Sequence, residues 1–191
     1  HTCGIGFDVS LWCWGRNVAG QLGVGNEIDQ PRPVQAGWFK SAALGGSHTC
    51  AITTAGALYC WGYNEYGQLG DGTREDRSTP AQVGTATWKS VTAGTNHTCG
   101  VQTNGTGWCW GKNSRGQLAD KTNNDRLVPV QVPKYYYWIG NTQYIFNWES
   151  ISAGGDHTCA VTMAEFHLLC WGANESGQLG LGTQNDMNER T

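Results

Sequence analysis

Four of the five histidines and all eight cysteines of this 191-residue chain recur as one set. His1, His48, His97 and His157 each stand two residues before a cysteine. Each of those cysteines has a second one ten or eleven residues on: Cys3 with Cys13, Cys50 with Cys60, Cys99 with Cys109, Cys159 with Cys170. An imidazole beside a thiol or hydroxyl is the arrangement of a base-activated nucleophile. A catalytic group is needed once, however, and a structural one at every repeat, so the recurrence argues against catalysis. Each histidine is instead expected to hydrogen-bond at a junction between repeats.

The remaining catalytic signatures are missing. There is no phosphate-binding Walker loop, no Gly-x-Ser-x-Gly elbow and no His-Glu-x-x-His. Asp71 in Leu-Gly-Asp-Gly-Thr resembles a fragment of a calcium loop, but the other repeats carry Val24, Asp120 and Leu181 there, and no dense acidic string supplies six to eight oxygens. No enzyme and no cofactor is expected. Structural zinc usually shows Cys-x2-Cys or His-x3-His spacing, which this chain lacks. His48, Cys50 and Cys60 could share a hairpin face, which leaves zinc as the alternative to four cross-strand disulfides. The disulfides are the expected state, with no bound metal.

The elements that position these residues follow from the period. Steps between the recurring histidines are 47, 49 and 60 residues, the length of one propeller blade, and a unit of that size must bury its faces against its neighbours. Helical periodicity is absent. His48-Thr-Cys-Ala-Ile, a turn at Thr54-Ala-Gly56 and Ala57-Leu-Tyr-Cys-Trp61 read as a hairpin in which Cys50 faces Cys60 and Ile52 faces Leu58. Ala51, Tyr59 and Trp61 then point to the opposite face. Both faces are apolar, as a sheet between two sheets requires.

Each copy continues through Trp-Gly-x-Asn-x-x-Gly-Gln-Leu-Gly, with Ala119 replacing the last glycine in the third. Glycine permits positive φ, and Asn can hydrogen-bond its own turn. Pro33-Val34, Pro80 to Val83 and Pro129 to Val132 suit an edge strand that tolerates proline at its start. Segments beginning at Trp38, Trp88 and Trp148 supply a fourth strand. The repeats read as about 1–47, 48–96, 97–156 and 157–191 of a single domain, an all-β propeller segment.

The chain resembles the RCC1-like (regulator of chromosome condensation) propeller repeat, whose Trp-Gly-x-Asn-x-x-Gly-Gln-Leu-Gly hallmark is matched at residues 14–23, 61–70 and 171–180, and nearly at 110–119. It is similar to the secreted His-Thr-Cys variety with two cysteines per blade. The resemblance implies a propeller of usually seven blades, of which about three and a half to four are here, an incomplete circle. The first repeat lacks the Trp-x-x-Val-x-Ala-Gly strand and the last lacks a Pro-x-x-Val strand. Missing sequence or neighbouring copies, joined head to tail into a ring or filament, would complete it. Nuclear members of the family bind chromatin and act as exchange factors, but fold does not transfer function.

Composition bounds the partners. The net charge is −3 with no basic cluster, which argues against nucleic acid, and no apolar stretch approaches a membrane span. Disulfides persist in an oxidising compartment, so a secreted or extracellular address is expected. Glycan acceptor sequons stand at Asn96, Asn104 and Asn174. Asn104 occupies the tip of the third hairpin and Asn96 a loop before a blade. Asn174 occupies the recurring turn position shared with Asn17, Asn64 and Asn113, where an architectural role competes.

Between Val132 and Trp148 the third repeat carries fifteen residues where the second, between Val83 and Trp88, carries four. This 133–147 insertion, with Tyr135, Tyr136, Tyr137, Trp138, Tyr144 and Phe146, reads as an aromatic hairpin. It is expected either to fold back on its own propeller or to offer a contact surface to a protein, a neighbouring copy or an extracellular glycan. A non-catalytic extracellular scaffold is the leading reading. The alternative is a ligand-binding module, a protein inhibitor, receptor ectodomain or sugar-binding propeller within a longer chain.

Overall fold

The computed structural model describes residues 1–139 and 141–188; the Tyr137 side chain also lies outside the described residues. Every named element is a strand: β1 (Thr2–Ile5), β2 (Ser10–Gly15), β3 (Gln30–Trp38), β4 (Ser41–Leu44), β5 (His48–Ile52), β6 (Ala57–Gly62), β7 (Arg77–Ala93), β8 (His97–Gln102), β9 (Gly107–Gly111), β10 (Arg126–Gln131), β11 (Tyr135–Ile139), β12 (Thr142–Phe146), β13 (Trp148–Ala153), β14 (His157–Thr162) and β15 (Leu168–Gly172).

Three stretches of antiparallel pairing form the body, in the orders β1-β2-β3, β10-β9-β8-β7-β6-β5-β4 and β13-β14-β15. The seven-stranded stretch is two blades sharing one long strand. The first part of β7, Arg77 to Thr87, pairs with β6, and its second part, Trp88 to Ala93, pairs with β8. The chain thus leaves one blade along its last strand and enters the next without a loop. Four blades result, each built on a hairpin with cysteine opposite cysteine: Cys3 with Cys13, Cys50 with Cys60, Cys99 with Cys109 and Cys159 with Cys170. All four pairs are bonded as disulfides, and among the described residues no cysteine is free.

Because side chains alternate along a strand, each hairpin presents two apolar faces, and the core lies between blades. Leu11, Cys13, Leu22, Phe39, Ala51 and Trp61 form one layer. Cys50, Ile52, Leu58, Leu69, Trp88 and Trp110 belong to the next, and Cys99, Val101, Leu118, Trp148 and Trp171 to the third. Ala51 and Cys50, adjacent in β5, therefore serve different layers. Every residue of β5 is buried, as a strand enclosed on both faces must be.

The turn after each hairpin is organised by one buried asparagine. In the second blade the backbone N–H of Asn64 donates to Asp76 Oδ1 (2.7 Å), its side-chain amide donates to the carbonyl of Thr73 (3.1 Å), and its Oδ1 accepts the N–H of Leu69 (3.0 Å). Asn17, Asn113 and Asn174 repeat these bonds with their own Asp29, Asp125 and Asp186. One side chain thus closes a loop that contains no regular structure. An aspartate stands twelve residues after the asparagine in every repeat, a recurrence in the sequence whose role the fold makes plain.

Replacing a buried hub leaves several polar groups unpaired, each costing about 1–3 kcal/mol. Asn64→Ala is therefore expected to lower the unfolding free energy by about 3 kcal/mol or more, measured by urea denaturation with the disulfides intact. A loss below about 1 kcal/mol would show that the loop holds its shape by other means.

Candidate functional site

The recurring histidine, threonine, tryptophan and glutamine meet between blades. Thr49 Oγ1 and Trp61 Nε1 of the second blade both donate to the main-chain carbonyl of Gln21 in the first, at 2.8 and 3.0 Å. Thr98 and Trp110 do the same to Gln68 at 2.8 and 2.9 Å, and Thr158 and Trp171 to Gln117 at 2.9 and 2.8 Å. The histidine of the preceding blade completes each set. His1, His48 and His97 place Nε2 2.9 Å from the hydroxyls of Thr49, Thr98 and Thr158.

The network assigns the tautomer. Each threonine hydroxyl has one proton, used on the glutamine carbonyl, so it accepts from the histidine and Nε2 carries the hydrogen. Nδ1 of His48 and His97 is then a bare, buried nitrogen, and neither has a hydrogen-bond partner. Burial, with a smaller contribution from the next histidine along, lowers both imidazoles from 6.5 to about 3. They are neutral where a general base would have to work, fully enclosed, and hold sheets together.

Glycine permits the close approach. A Cβ on Gly23 would lie 2.5 Å from the Trp61 indole, and one on Gly70 2.7 Å from that of Trp110.

The surface is more varied than the junctions. β11 (Tyr135–Ile139) and β12 (Thr142–Phe146) pair antiparallel as a sheet of their own. The Tyr135 ring packs against the third core layer and stands 5.1 Å from His167, and Phe146 stands 6.2 Å from the same imidazole. These two anchor the base of the hairpin on the last blade. Tyr136, Trp138 and Ile145 share the other face and are all exposed, while Tyr144 is 40% exposed beside them on the first. Tyr137, expected as a contact residue, has its side chain outside the described residues. Phe166 and Leu168 at the neighbouring hairpin tip are exposed too.

The sequons differ in accessibility. Asn104 is exposed at its hairpin tip; Oδ1 accepts from the N–H of Thr106, and Nδ2 makes no hydrogen bond among the described residues. Asn96 is half-buried on a cleft of about 530 Å³ shared with Arg16, Tyr63 and Asp76. Asn174 requires a correction: it is fully buried, its Nδ2 donates to the Thr183 carbonyl and its Oδ1 accepts from Leu179, so its sequon is consumed by the turn. Among the described residues no group of three or more His, Cys, Asp or Glu could hold a metal ion.

Consecutive antiparallel blades of three or four strands with an apolar layer at each junction define a β-propeller. The regulator of chromosome condensation (RCC1) repeat model matches residues 10–52, 55–101 and 104–161, and a second RCC1 repeat model matches 39–68, 88–117 and 148–178; the chain belongs to the RCC1 repeat family. No curated protein matches it.

Among solved structures, human WBSCR16 is similar at TM-score 0.87 and 22% identity, over 99% of this chain and 49% of its own. Yeast RCC1 (Prp20), solved with Kap60 bound, is similar at TM-score 0.77 and 21% identity, over 98% and 45%. The ectodomain of the Physcomitrella patens receptor kinase CR4 gives 0.53 and 24%, over 89% and 38%. The chain spans about half the length of these relatives or less. Such propellers serve generally as binding or exchange-factor scaffolds, and four disulfides suit an oxidising environment.

The junction histidines set a pH dependence. Their folded-state values lie below the unfolded value of 6.5, so the stabilisation from keeping them neutral is complete above pH 6.5 and is lost as pH falls toward about 3. Urea midpoints are expected to drop steadily from pH 7 to pH 4, with proton uptake on unfolding. Replacing both His48 and His97 by Gln should flatten that slope; an unchanged slope would place the titrating groups elsewhere.

Proposed function

We propose that the chain is an extracellular, non-catalytic interaction scaffold. The observation that carries this reading is the use of His48, His97, Thr49, Thr98 and Thr158 inside blade junctions, where the two enclosed, neutral histidines hold sheets together. Chemistry capable of recognition is left to the rim. Four disulfides favour an extracellular address, and two of them, Cys50–Cys60 and Cys99–Cys109, also fill the core.

On this reading Asn104 carries a glycan in a eukaryotic secretory pathway, with Asn96 the second site. Copies associate head to tail, a heterologous contact that closes a ring or extends a filament. No catalytic step is assigned.

A second reading is favoured by one observation, the exposed Tyr136, Trp138 and Ile145 face. Large rigid aromatics on one hairpin are the usual anchors of a protein or sugar contact. Yeast RCC1 was solved bound to another protein, and a receptor-kinase ectodomain shares the fold, so a ligand-binding role is the competing use of this surface.

Intact mass of the secreted protein tests the first reading. Reduction should add eight hydrogens, one for each cysteine, and glycosidase treatment should remove mass that maps to Asn104. Thiols that are free in the native material would overturn the extracellular assignment. Deleting 133–147 separates the two readings: loss of partner capture with self-association intact favours the binding module, and the opposite result leaves the hairpin outside recognition.

A further inference from the structure

The loop rim carries ion pairs between blades, and at the junction of the first and second blades each pair is present only as one half. Between the third and fourth blades Arg115 Nη1 donates to Asp186 Oδ2 at 2.8 Å, and Nη2 donates to Glu175. A second pair joins Lys112 Nζ to Asp156 Oδ1 at 3.6 Å. Between the second and third blades Arg74 stands 3.8 Å from Asp125. Asp76, Asp125 and Asp186 are equivalent, each bonded to the turn asparagine twelve residues before it.

The first junction keeps the acids and lacks their cations. Asp76 and Glu65 stand where Asp186 and Glu175 do, but Ala19 takes the place of Arg115, and Glu27 that of Arg74. The turn itself is unchanged: the N–H of Ala19 donates to Gln21 Oε1 at 3.0 Å, as that of Arg115 does to Gln117 Oε1 at 2.9 Å. Asp76 accepts the Asn64 N–H and makes no ion pair among the described residues. Conversely, Arg16 takes the place of Lys112 while Ser47 replaces Asp156, and Arg16 has neither a hydrogen bond nor an ion pair among the described residues. The cleft of about 530 Å³ lies here, lined by Arg16, Ala19, Ser47, Tyr63, Asp76 and Asn96. Partial burial, and then Glu27, Glu75 and Glu65, push the Asp76 carboxyl above its ordinary value against the bond from Asn64, whereas Arg115 holds Asp186 below that value despite partial burial. A carboxylate beside other carboxylates is stabilised by an added cation.

We infer that this cleft binds a segment of a partner protein that carries an arginine beside a carboxylate. The guanidinium bonds Asp76 and Glu65 as Arg115 bonds Asp186 and Glu175, its planar fork suiting two acceptors, and the partner's carboxylate pairs with Arg16. A protein side chain is the occupant because one fills the same position at the third junction, and because Arg16 and Val18 stand exposed at the mouth. The inference rests on the interaction-scaffold reading and gives it a ligand chemistry at a place separate from the aromatic hairpin.

Alternate residues of an extended peptide share a face, so the probe is fluorophore-labelled acetyl-Arg-Ala-Asp amide. Anisotropy is followed with the full 1–191 chain at pH 7 and low salt, after an endoglycosidase has trimmed sugar from Asn96 at the cleft wall. Binding should saturate, and should weaken about tenfold when citrulline replaces the arginine or asparagine the aspartate of the peptide, since each exchange removes one charge and keeps the shape. In the protein, Asp76→Asn keeps an oxygen for the Asn64 N–H and should weaken binding about tenfold as well. Ala19→Arg and Ser47→Asp each rebuild an ion pair that the third junction already contains. The first should abolish binding and the second weaken it, with far-UV dichroism and disulfide content unchanged.

Peptide binding that ignores the citrulline exchange, or that survives Ala19→Arg in a folded chain, overturns the site. Absence of saturable binding overturns it too, and leaves the scaffold reading to the hairpin deletion above. Free arginine that binds as tightly as the peptide overturns a protein segment as the occupant.

Discussion

One main-chain oxygen per blade junction organises this protein. The carbonyl of the glutamine in Gly-Gln-Leu accepts two hydrogen bonds from the following blade, one from a threonine hydroxyl and one from an indole N–H. A carbonyl has two lone pairs, and both are used where no water reaches. Thr49, Thr98 and Thr158 are fully buried, so loss of either donor would leave a polar group stranded in the interior. The bond pair fixes the spacing of sheets that hydrophobic contact alone would leave free to slide.

The other recurring features follow from that constraint. The threonine spends its one proton on the carbonyl and needs a donor in return, which the preceding blade supplies as a histidine held in one tautomer. The indoles of Trp61 and Trp110 lie close against the turn, so glycines, Gly23 and Gly70, stand beneath them. The turn must hold its carbonyl outward without a strand to support it, and the buried asparagine with its aspartate provides that support. Disulfides pin each hairpin internally, and the carbonyl pair ties hairpin to hairpin.

Function is displaced to the periphery as a result. The junctions are identical in chemistry from blade to blade and enclosed, whereas the loops and hairpin tips vary: Asn104-Gly105 in one blade, Phe166 in the next, and the β11-β12 hairpin in the connection between them. Acid sensitivity belongs to the interior, through imidazoles that burial keeps neutral. On the proposed reading recognition falls to the surface, where Trp138 and its neighbours stand in solvent.

Much of this was legible in the residues themselves. A 47–60-residue period with cysteine opposite cysteine specified hairpins, blades and cross-strand pairing, because alternation of side chains makes register a matter of counting. The structural role of the histidines followed from their repetition. What counting could not supply was the partner across each junction: His48 meets Thr98, fifty residues away, and Thr98 meets the Gln68 carbonyl of the preceding blade. Nor could it separate Asn104 from Asn174, identical as sequons, since one stands in solvent and the other is enclosed by its own turn. Local spacing determined the strands and their register. Which polar atoms are buried, and against what, was decided only when the sheets stacked, because burial depends on the neighbouring blade and not on the segment that carries the residue.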